Sequence, residues 1–223
     1  MFTGIVENQG IVIKKEERGG QVRFGFRFWK KEKGLKIGDS IAVSGVCLTA
    51  VRVHSRGFEV DVVRQTLEAT TLGTLELGGR VNLERSLKIG DGLGGHFVTA
   101  HIDGRGTIVK IEKRGRNTTL FLTASKDIIA LLADKGSVAC DGISLTVQKV
   151  RGKVFQIAVI PHTLKVTTLG QKKVGAEVNL EIDIVARYLQ MCFAKERSRK
   201  VFSSRTILRE LLQRGAEWKK DSN

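Results

Sequence analysis

Residues 40–49, SIAVSGVCLT, are repeated 97 positions later as residues 137–146, SVACDGISLT. The similarity continues without a gap to residue 84, and 19 of the 45 positions in 40–84 are identical in 137–181. A match of this length indicates two similar domains rather than the short unit of a solenoid. A ligand pocket built by one copy is therefore expected to occur twice.

A shorter match precedes this block. Residues 3–14 align with residues 99–110 at an offset of 96, and Thr3, Gly10 and Lys14 recur at the aligned positions. The change of offset before residue 40 fits a length difference in a surface loop.

The repeat sets the expected domain bounds. We expect one domain at residues 1–88, a second at residues 97–184 and a tail at residues 185–223 that has no counterpart in the repeat.

Both halves show the alternation of apolar and other residues that is typical of half-buried strands. In Gln21–Phe28, for example, Val22, Phe24, Phe26 and Phe28 share one parity, and 177–184 alternate in the same way. The chain has 25 glycines and one proline, as expected for short strands joined by tight turns. Six antiparallel strands with one apolar face close most naturally into a barrel. The predicted fold is all-β: two similar six-stranded antiparallel Greek-key β-barrels from an internal duplication, plus a C-terminal α-helix.

Short helices are predicted between some strands. Ser125 is a good N-cap for the apolar run at residues 128–133. Thr66–Leu72 and its counterpart 163–169 are expected to be helical turns that end with a glycine, Gly73 or Gly170, at the C′ position.

The tail has apolar residues at helical spacing in two stretches, Ile184–Arg197 and Ser204–Arg214. An appended amphipathic helix packs either on its own domain or on another subunit, and the pattern leaves both open.

Composition excludes several classes of protein. No apolar run reaches the roughly 18–20 residues of a membrane span, and the N-terminus lacks a signal-peptide pattern, so we expect a cytoplasmic protein. The three cysteines, Cys47, Cys140 and Cys192, are widely spaced, which disfavours disulfides and metal sites.

The net charge of +15 allows a nucleic-acid partner as one interpretation. The excess is concentrated at Lys14–Lys36 and Lys195–Lys220, and neither region interleaves aromatic residues with its basic residues. We therefore favour a solvated basic surface and expect no nucleic-acid partner.

The repeated motif carries small polar side chains. On a strand, Cys47 and Thr49 point the same way, as do Ser144 and Thr146. They either line a pocket or are satisfied structural groups, and the motif alone leaves both open. No Gly-x-Ser-x-Gly motif occurs and the sequence ties no His/Asp pair to Ser144, which disfavours a hydrolase triad.

Three residues break the internal repeat. His101 stands opposite Ile5, Asp141 opposite Ser44, and Lys135 opposite Gly38. Departure from an internal template makes the three residues His101, Asp141 and Lys135 better functional candidates than their types alone would.

Several motifs resemble those of the riboflavin synthase family. They are MFTGIVE at residues 1–7, GVCLT at 45–49, GGH at 94–96 with HI at 101–102, DGISLT at 141–146 and IPHTL at 160–164. The likeness runs from residue 1 to about residue 183. Two positions depart from the family pattern: Ala100 stands where glycine is frequent, and Ser44 stands where asparagine is frequent.

The resemblance implies a dismutation. Two molecules of 6,7-dimethyl-8-ribityllumazine react by transfer of a four-carbon unit, giving riboflavin and 5-amino-6-(D-ribitylamino)uracil. No cofactor and no metal are implied, because one substrate oxidises the other. The resemblance also implies a homotrimer with working sites between subunits, and association with lumazine synthase is a further expectation. A non-catalytic lumazine- or flavin-binding antenna protein is the alternative.

Carried over residue by residue, the resemblance implies a substrate site in each barrel. The N-terminal site would comprise Gly4, Ile5, Val6, Cys47, Leu48, Thr49, Asp61, Val62, Val63, Arg64, Gln65 and Thr66. The C-terminal site would comprise Ala100, His101, Ile102, Lys135, Ser144, Leu145, Thr146, Ile160, Pro161, His162, Thr163, Leu164 and Lys165. The catalytic candidates are His101, Ser144, Cys47, Ser40 and Asp141, with Lys135 in support.

Overall fold

The computed structural model describes residues 1–30 and 34–193. Met1–Ile184 form one compact unit, which contains two closed antiparallel barrels of six strands each. The first barrel is built from β1 (Asn8–Arg18), β2 (Gln21–Phe28), β3 (Ser40–Val43), β4 (Val46–His54), β5 (Gly57–Val63) and β6 (Arg80–Arg85). The second is built from β7 (Gly104–Arg114), β8 (Asn117–Thr123), β9 (Ser137–Cys140), β10 (Ile143–Arg151), β11 (Val154–Val159) and β12 (Glu177–Ile182).

The two barrels have the same topology. Around the first, the strand order is β1-β2-β5-β4-β3-β6, and the second repeats this order with β7 to β12. This Greek-key arrangement confirms the predicted all-β fold with two six-stranded barrels.

Matching irregularities occur in the two sheets. The register shifts between Val12 and Lys14 in β1 and between Ile108 and Lys110 in β7. Equivalent shifts occur in β4 and β10. Such bulges bend a strand and increase its twist, which helps a six-stranded sheet curve until it closes.

The barrel interiors are apolar, as the alternating pattern predicted. Phe24 and Phe26 of β2 are fully buried, and the ring centre of Phe26 lies 5.3 Å from that of Phe58 in β5. In the second barrel, residues such as Leu122 and Phe155 are equally buried.

Two-residue turns join the strands of the repeated motif. Ser44-Gly45 connects β3 to β4, and Asp141-Gly142 connects β9 to β10. All four residues have positive φ, between 45° and 80°. Turns of this kind match the twist of the paired strands and favour Asn-Gly or Asp-Gly, so the sequence Asp-Gly fits and Ser44 is a less favourable residue for its position.

Two buried asparagines join the barrels. The Asn82 side chain of β6 donates to the Asp141 carbonyl at 2.9 Å and accepts from the Thr168 amide at 2.8 Å. Asn179 of β12 mirrors this by donating to the Ser44 carbonyl at 2.9 Å and accepting from the Thr71 amide at 2.7 Å. The repeat therefore produces a pseudo-twofold interface in which each asparagine binds the turn of the other barrel.

The turns themselves meet at the pseudo-twofold axis. A Cβ atom added to Gly45 would lie 2.6 Å from the Gly142 nitrogen, and one added to Gly142 would lie 2.7 Å from the Gly45 nitrogen. Only a residue without a side chain allows this approach of the two backbones.

Polar residues of β12 that the alternating sequence pattern predicted to be exposed are buried in the structure. The polar positions of β12, Asn179 and Glu181, are as buried as its apolar ones, with exposures of 0% and 1%. The alternating pattern was expected for a half-buried strand. Here Asn179 is covered by the other barrel and Glu181 by the segment that contains Thr99, so the strand is buried on both sides.

In the part of the chain that the structure describes, three short α-helices lie between strands: α1 (Arg64–Ala69), α2 (Lys126–Leu131) and α3 (Pro161–Val166). Ser125 caps α2 as predicted, and its hydroxyl accepts a bond from the Ile128 amide.

The predicted ends of the other two helices were wrong. Helices α1 and α3 end before Gly73 and Gly170, which lie inside separate 3₁₀ turns, Thr71–Thr74 and Thr168–Gln171. Both positions require glycine. A Cβ atom on Gly73 would lie 2.4 Å, and one on Gly170 2.1 Å, from a carbonyl oxygen of the preceding helix.

The tail is described only in part. Residues 184–193 are helical, which agrees with the start of the predicted stretch Ile184–Arg197. The second predicted stretch, Ser204–Arg214, lies outside the described residues. None of the described helices is both long and apolar enough to cross a membrane.

Replacing Asn179 by alanine is expected to lower the free energy of unfolding by about 2–4 kcal/mol, because the Thr71 amide and the Ser44 carbonyl lose their partner. Urea unfolding followed by circular dichroism measures this. The matched control is Asn117→Ala, on an exposed residue of β8, with an expected change within about 0.5 kcal/mol. Equal effects of the two substitutions would contradict the role of the asparagine.

Candidate functional site

The repeated motif starts β4 and β10, and its side chains alternate between core and surface. Leu48 and Leu145 point into the barrels, with exposures of 7% and 9%. Cys47 and Ser144 are half-buried on the outer face, and Thr49 and Thr146 beside them are exposed. The predicted polar pairs therefore share one face in each barrel, whereas the two leucines are core residues.

Each motif is bound to the other half of the unit by a backbone hydrogen bond. The Ser144 amide donates to the Gly4 carbonyl, and the Cys47 amide donates to the Ala100 carbonyl, both at 2.8 Å. Gly4 and Ala100 occupy equivalent places in the repeat, and both have positive φ, 77° and 60°. The structure thus brings together Gly4 with Ser144, and Ala100 with Cys47.

A buried glutamate fixes each of these segments. The Glu84 carboxylate accepts from the Thr3 amide at 2.6 Å, from the Thr3 hydroxyl and from the Gly4 amide. Glu181 accepts from the amide and hydroxyl of Thr99 in the same way. Burial raises the pKa of both carboxyl groups, against the opposing effect of these hydrogen bonds.

Within the described residues, Ser144 is hydrogen-bonded to a histidine and Cys47 is not. The Ser144 hydroxyl lies 2.7 Å from Nδ1 of His96, which is 9% exposed. Gly95 allows this approach, because a Cβ there would lie 2.8 Å from the Ser144 Cβ. The Cys47 side chain instead packs against a small apolar cluster around Phe2, Ala42, Val98, Ala100 and Ala139.

Sequence reasoning missed the pairing of His96 with Ser144. It used GGH at 94–96 as one motif of the resemblance, but His96 and Ser144 are 48 positions apart in the chain, so the sequence does not show that they are close.

His101, the histidine that was predicted from the sequence as a catalytic candidate, is placed differently from His96. His101 is exposed, between Ala100, whose carbonyl binds Cys47, and Ile102, which packs against the core of the first barrel. In the first copy of the repeat, the equivalent residues are Ile5, which is 48% exposed, and Val6, which is half-buried.

Asp141 is buried in the interface between the barrels, with an exposure of 1%. Its carboxylate accepts from the Asn179 amide at 2.8 Å and lies 3.1 Å from the Lys172 ammonium. Burial raises the pKa of this carboxyl, and the nearby Lys172 charge opposes that rise. These carboxylate contacts lie within the second barrel and hold the turn, whereas the Asp141 carbonyl, which accepts from Asn82, makes the contact across the interface. Ser40, another catalytic candidate, is half-buried at the start of β3, opposite Thr49.

The segments predicted to complete the two sites connect a strand to a helix in each barrel. Residues 61–66 run from the end of β5 into α1, and residues 160–165 run into α3. Asp61 is paired with Arg23 at 2.6 Å, and this hydrogen bond lowers the pKa of the carboxyl.

The remaining members of these segments divide between core and surface. Val62 is a core residue, Thr66, Thr163 and Leu164 are half-buried, and the rest are exposed, namely Val63, Arg64, Gln65, Ile160, Pro161, His162 and Lys165.

Two cavities border the predicted sites. One of about 370 Å³ is lined by Thr3, Ile5 and residues that follow β6, and one of about 430 Å³ is lined by Ile160 with outer residues of β8, β10 and β11. No group of three or more His, Cys, Asp or Glu side chains in the described residues is arranged to hold a metal ion.

Comparisons with known proteins identify the family. The model of the lumazine binding domain matches twice, at residues 3–86 and 99–183. The riboflavin synthase of Actinobacillus pleuropneumoniae is 40% identical over 196 residues, which cover 88% of this chain and 91% of that protein. The riboflavin synthase of Bacillus subtilis (strain 168) is 34% identical over 95% of this chain and 98% of its own length.

The chain belongs to the riboflavin synthase family. A third relative, the riboflavin synthase of Brucella abortus (strain 2308), is 41% identical over 84% of this chain and 96% of its own length.

Among solved structures, LumP complexed with riboflavin matches with a TM-score of 0.74 at 28% identity, covering 82% of this chain and 99% of LumP. LumP complexed with 6,7-dimethyl-8-(1'-D-ribityl) lumazine matches with a TM-score of 0.72 at 28% identity, covering 81% of this chain and 98% of LumP. The fold of this chain is therefore similar to that of LumP, a protein that has been solved in complex with riboflavin and with the ribityl lumazine.

In this member of the family, Lys135 has a positive φ, a backbone conformation that is strained for a residue with a side chain. Its φ is 70°, whereas Gly38 at the equivalent place of the first barrel has a φ of 90° without a side chain. Left-handed backbone costs a non-glycine residue roughly 1–2 kcal/mol. Strain of this size that persists at a predicted site supports a functional reason for the lysine.

Replacing Lys135 by glycine is expected to raise the free energy of unfolding by about 0.5–1 kcal/mol, because relief of the strained φ exceeds the entropy that glycine adds to the unfolded chain. Chemical denaturation of the two proteins measures the difference. The reciprocal variant, Gly38→Lys, should lose about 1 kcal/mol. A Lys135→Gly variant less stable than the parent protein would show that the lysine stabilises the fold.

Proposed function

We propose that this chain is a riboflavin synthase, a transferase that converts two molecules of 6,7-dimethyl-8-ribityllumazine into riboflavin and 5-amino-6-(D-ribitylamino)uracil. The observation that carries this is the match to riboflavin synthases at 34–41% identity over 84–95% of the chain. The doubled fold agrees with it, because a reaction of two identical substrates needs two similar subsites.

Each barrel would hold one substrate molecule on the face that carries the repeated motif. The sequence grouped residues 4–6 with the N-terminal motif and residues 100–102 with the C-terminal one, but the Gly4 carbonyl binds the Ser144 amide and the Ala100 carbonyl binds the Cys47 amide. The subsite on the N-terminal barrel would therefore use residues 47–49, 61–66 and 100–102. The subsite on the C-terminal barrel would use residues 4–6, 144–146 and 160–165, with Lys135. Holding two reactants in register can lower the barrier by up to about 7–11 kcal/mol in favourable cases. The thiol and hydroxyl of Cys47 and Ser144 are half-buried, and the His101 side chain is exposed, so substrate can reach all three.

The barrier also includes removal of a proton from the ring methyl group of one substrate. We assign this chemistry to Ser144 on the C-terminal barrel and to His101, Cys47 and Ser40 on the opposing subsite, because the carbonyl of Ala100, next to His101, binds the Cys47 amide. For Asp141 the proposal is narrower: its carboxylate is engaged with Asn179 and Lys172, so it supports the Ser144 turn from the interface.

We propose domain bounds of 1–88, 97–184 and 185–223. The working unit would be a homotrimer in the cytoplasm, with each site formed between the N-terminal barrel of one subunit and the C-terminal barrel of the next. The exposure of the motif faces supports an incomplete site in the single chain, because a second subunit could cover them. Association with lumazine synthase is the remaining proposed interaction, and no nucleic-acid partner is proposed.

A non-catalytic antenna protein is the second candidate, favoured by the structural match to LumP. The identity to LumP is 28%, below the 34–41% to the synthases. The chain also retains the four motif residues Cys47, His101, Lys135 and Ser144. The enzyme is therefore the better-supported function.

Purified protein incubated anaerobically with 6,7-dimethyl-8-ribityllumazine and no added cofactor is expected to form one riboflavin for each two lumazines consumed. Absorbance and chromatography measure both. Tight binding without turnover would favour the antenna protein, and absence of binding would contradict both functions. The variants Ser144→Ala and His101→Gln should lose activity while still binding, with Ser55→Ala in an exposed turn as control. Activity within about twofold of the parent would remove that residue from the mechanism.

A further inference from the structure

A further cavity lies at the opposite end of the first barrel from Cys47. Its volume is about 660 Å³, and it is lined by Arg27, Phe28, Trp29, Ser55 and Arg56. Strand β4 runs from the motif at Cys47 to His54, beside this cavity, and that length of strand spans roughly 23 Å at about 3.3 Å per residue. The cavity is therefore separate from the proposed substrate subsites.

The strand register places two arginines on one face of the barrel near this cavity. Arg27 of β2 and Arg80 of β6 are each paired with Ile11 of β1, one on either side of it. Residues that are paired across antiparallel strands point to the same face of the sheet. Both arginines are exposed, so they flank Ile11 on the outside of the barrel.

Trp29 follows β2 and lies next to Arg80. Its amide donates to the Gln9 carbonyl at 2.7 Å, which fixes the residue beside the start of β1. The Arg80 guanidinium lies 4.4 Å from the centre of the indole ring, a cation–π contact. Trp29 is still 53% exposed, so a planar ring of a ligand can stack on the indole.

A third arginine comes from the turn between β4 and β5. The Arg56 carbonyl accepts from the Phe28 amide at 2.9 Å, so this turn is fixed against the end of β2. Arg56 is exposed, as are Arg27 and Arg80, and within the described residues none of the three is ion-paired with a carboxylate. Guanidinium groups bind phosphate oxygens through paired, charge-assisted hydrogen bonds. Such groups around an exposed indole suit an anion that also has a planar ring.

The second barrel does not repeat this cluster. At the positions that correspond by register to the two strand arginines, it has Thr123 and Glu177. The tryptophan is replaced by Ser125, which caps α2, and the arginine of the turn is replaced by Lys153. The same barrel thus forms without these four side chains, which favours a binding role over a structural one.

We propose that this cavity binds a nucleotide, with the planar base stacked on Trp29 and the phosphates held by Arg27, Arg56 and Arg80. Its volume lies within the range of small-molecule sites, about 300–1,000 Å³. One exposed aromatic ring suits one base, whereas a groove for single-stranded nucleic acid offers aromatic side chains to successive bases. The inference goes beyond the proposed function and does not rest on it.

Titration of the full chain with adenosine diphosphate, followed by calorimetry, tests the proposal. We expect saturable binding of one nucleotide per chain. Adenosine and inorganic pyrophosphate each lack one half of the ligand and should bind at least about tenfold more weakly. In a Trp218→Phe background, Trp29 is the remaining tryptophan of the chain, and the nucleotide should quench its fluorescence.

Three substitutions locate the site. Trp29→Ala, Arg27→Ala and Arg56→Ala should each raise the Kd for adenosine diphosphate at least about fivefold, because a stacked base or a charge-assisted hydrogen bond is lost. The matched control is Lys153→Ala, in the equivalent turn of the second barrel, with a Kd within about twofold of the parent. All four residues are exposed, so the variants should fold, and circular dichroism checks this.

Several results would overturn the proposal. They are the absence of saturable binding at millimolar adenosine diphosphate, unchanged Trp29 fluorescence, and a Kd that none of the three substitutions alters. Displacement of the nucleotide by riboflavin would place it in a lumazine subsite instead. Single-stranded oligoadenylate that binds more than about tenfold more tightly than the diphosphate would indicate a nucleic-acid surface. None of these measurements depends on riboflavin formation, so failure of the proposed function would leave the test intact.

Discussion

The structure depends on one interface, in which two copies of the same barrel pack through their tightest turns. Gly45 and Gly142 meet backbone to backbone, and two fully buried asparagines, Asn82 and Asn179, bind the turn of the opposite copy. Buried amides without partners would be costly, so this pairing fixes a single arrangement of the barrels. Duplication alone would give two domains on a linker, and the interface makes them one unit.

The interface also builds the candidate site. The motifs that form the turns continue directly into Cys47 and Ser144, whose amides bind the carbonyls of Ala100 and Gly4 across the interface. The Glu84 carboxylate binds the segment that contains Gly4, and the Glu181 carboxylate binds the segment that contains Ala100. A near-symmetric framework thus presents two similar faces, and a few substitutions in the second copy, together with His96, make the faces chemically different.

Much of this was readable in the sequence. The repeat predicted two copies of one barrel, and the alternation of apolar residues along Gln21–Phe28 predicted which side of β2 faces the barrel interior. Both are patterns of residues along the chain. The buried polar side of β12 and the His96–Ser144 contact could not be predicted, because they depend on how distant segments pack. Asp141 was identified as unusual, since it breaks the repeat, but its place in the interface follows only from the fold. Gly73 and Gly170 were predicted to end helical turns at the C′ position, whereas the structure requires glycine there because the carbonyl oxygens of Leu67 and Leu164 lie too close for a side chain.

The most direct test compares Gly142→Ala with Gly152→Ala. Both glycines have positive φ, 75° and 58°, but a Cβ on Gly142 would meet the Gly45 backbone, whereas a Cβ on Gly152 would meet nothing within 4 Å. The difference between their unfolding free energies therefore isolates the contact between barrels from backbone strain. The account predicts that Gly142→Ala loses at least about 2 kcal/mol more than Gly152→Ala and also loses turnover. Equal losses of stability, with turnover retained in both, would contradict it.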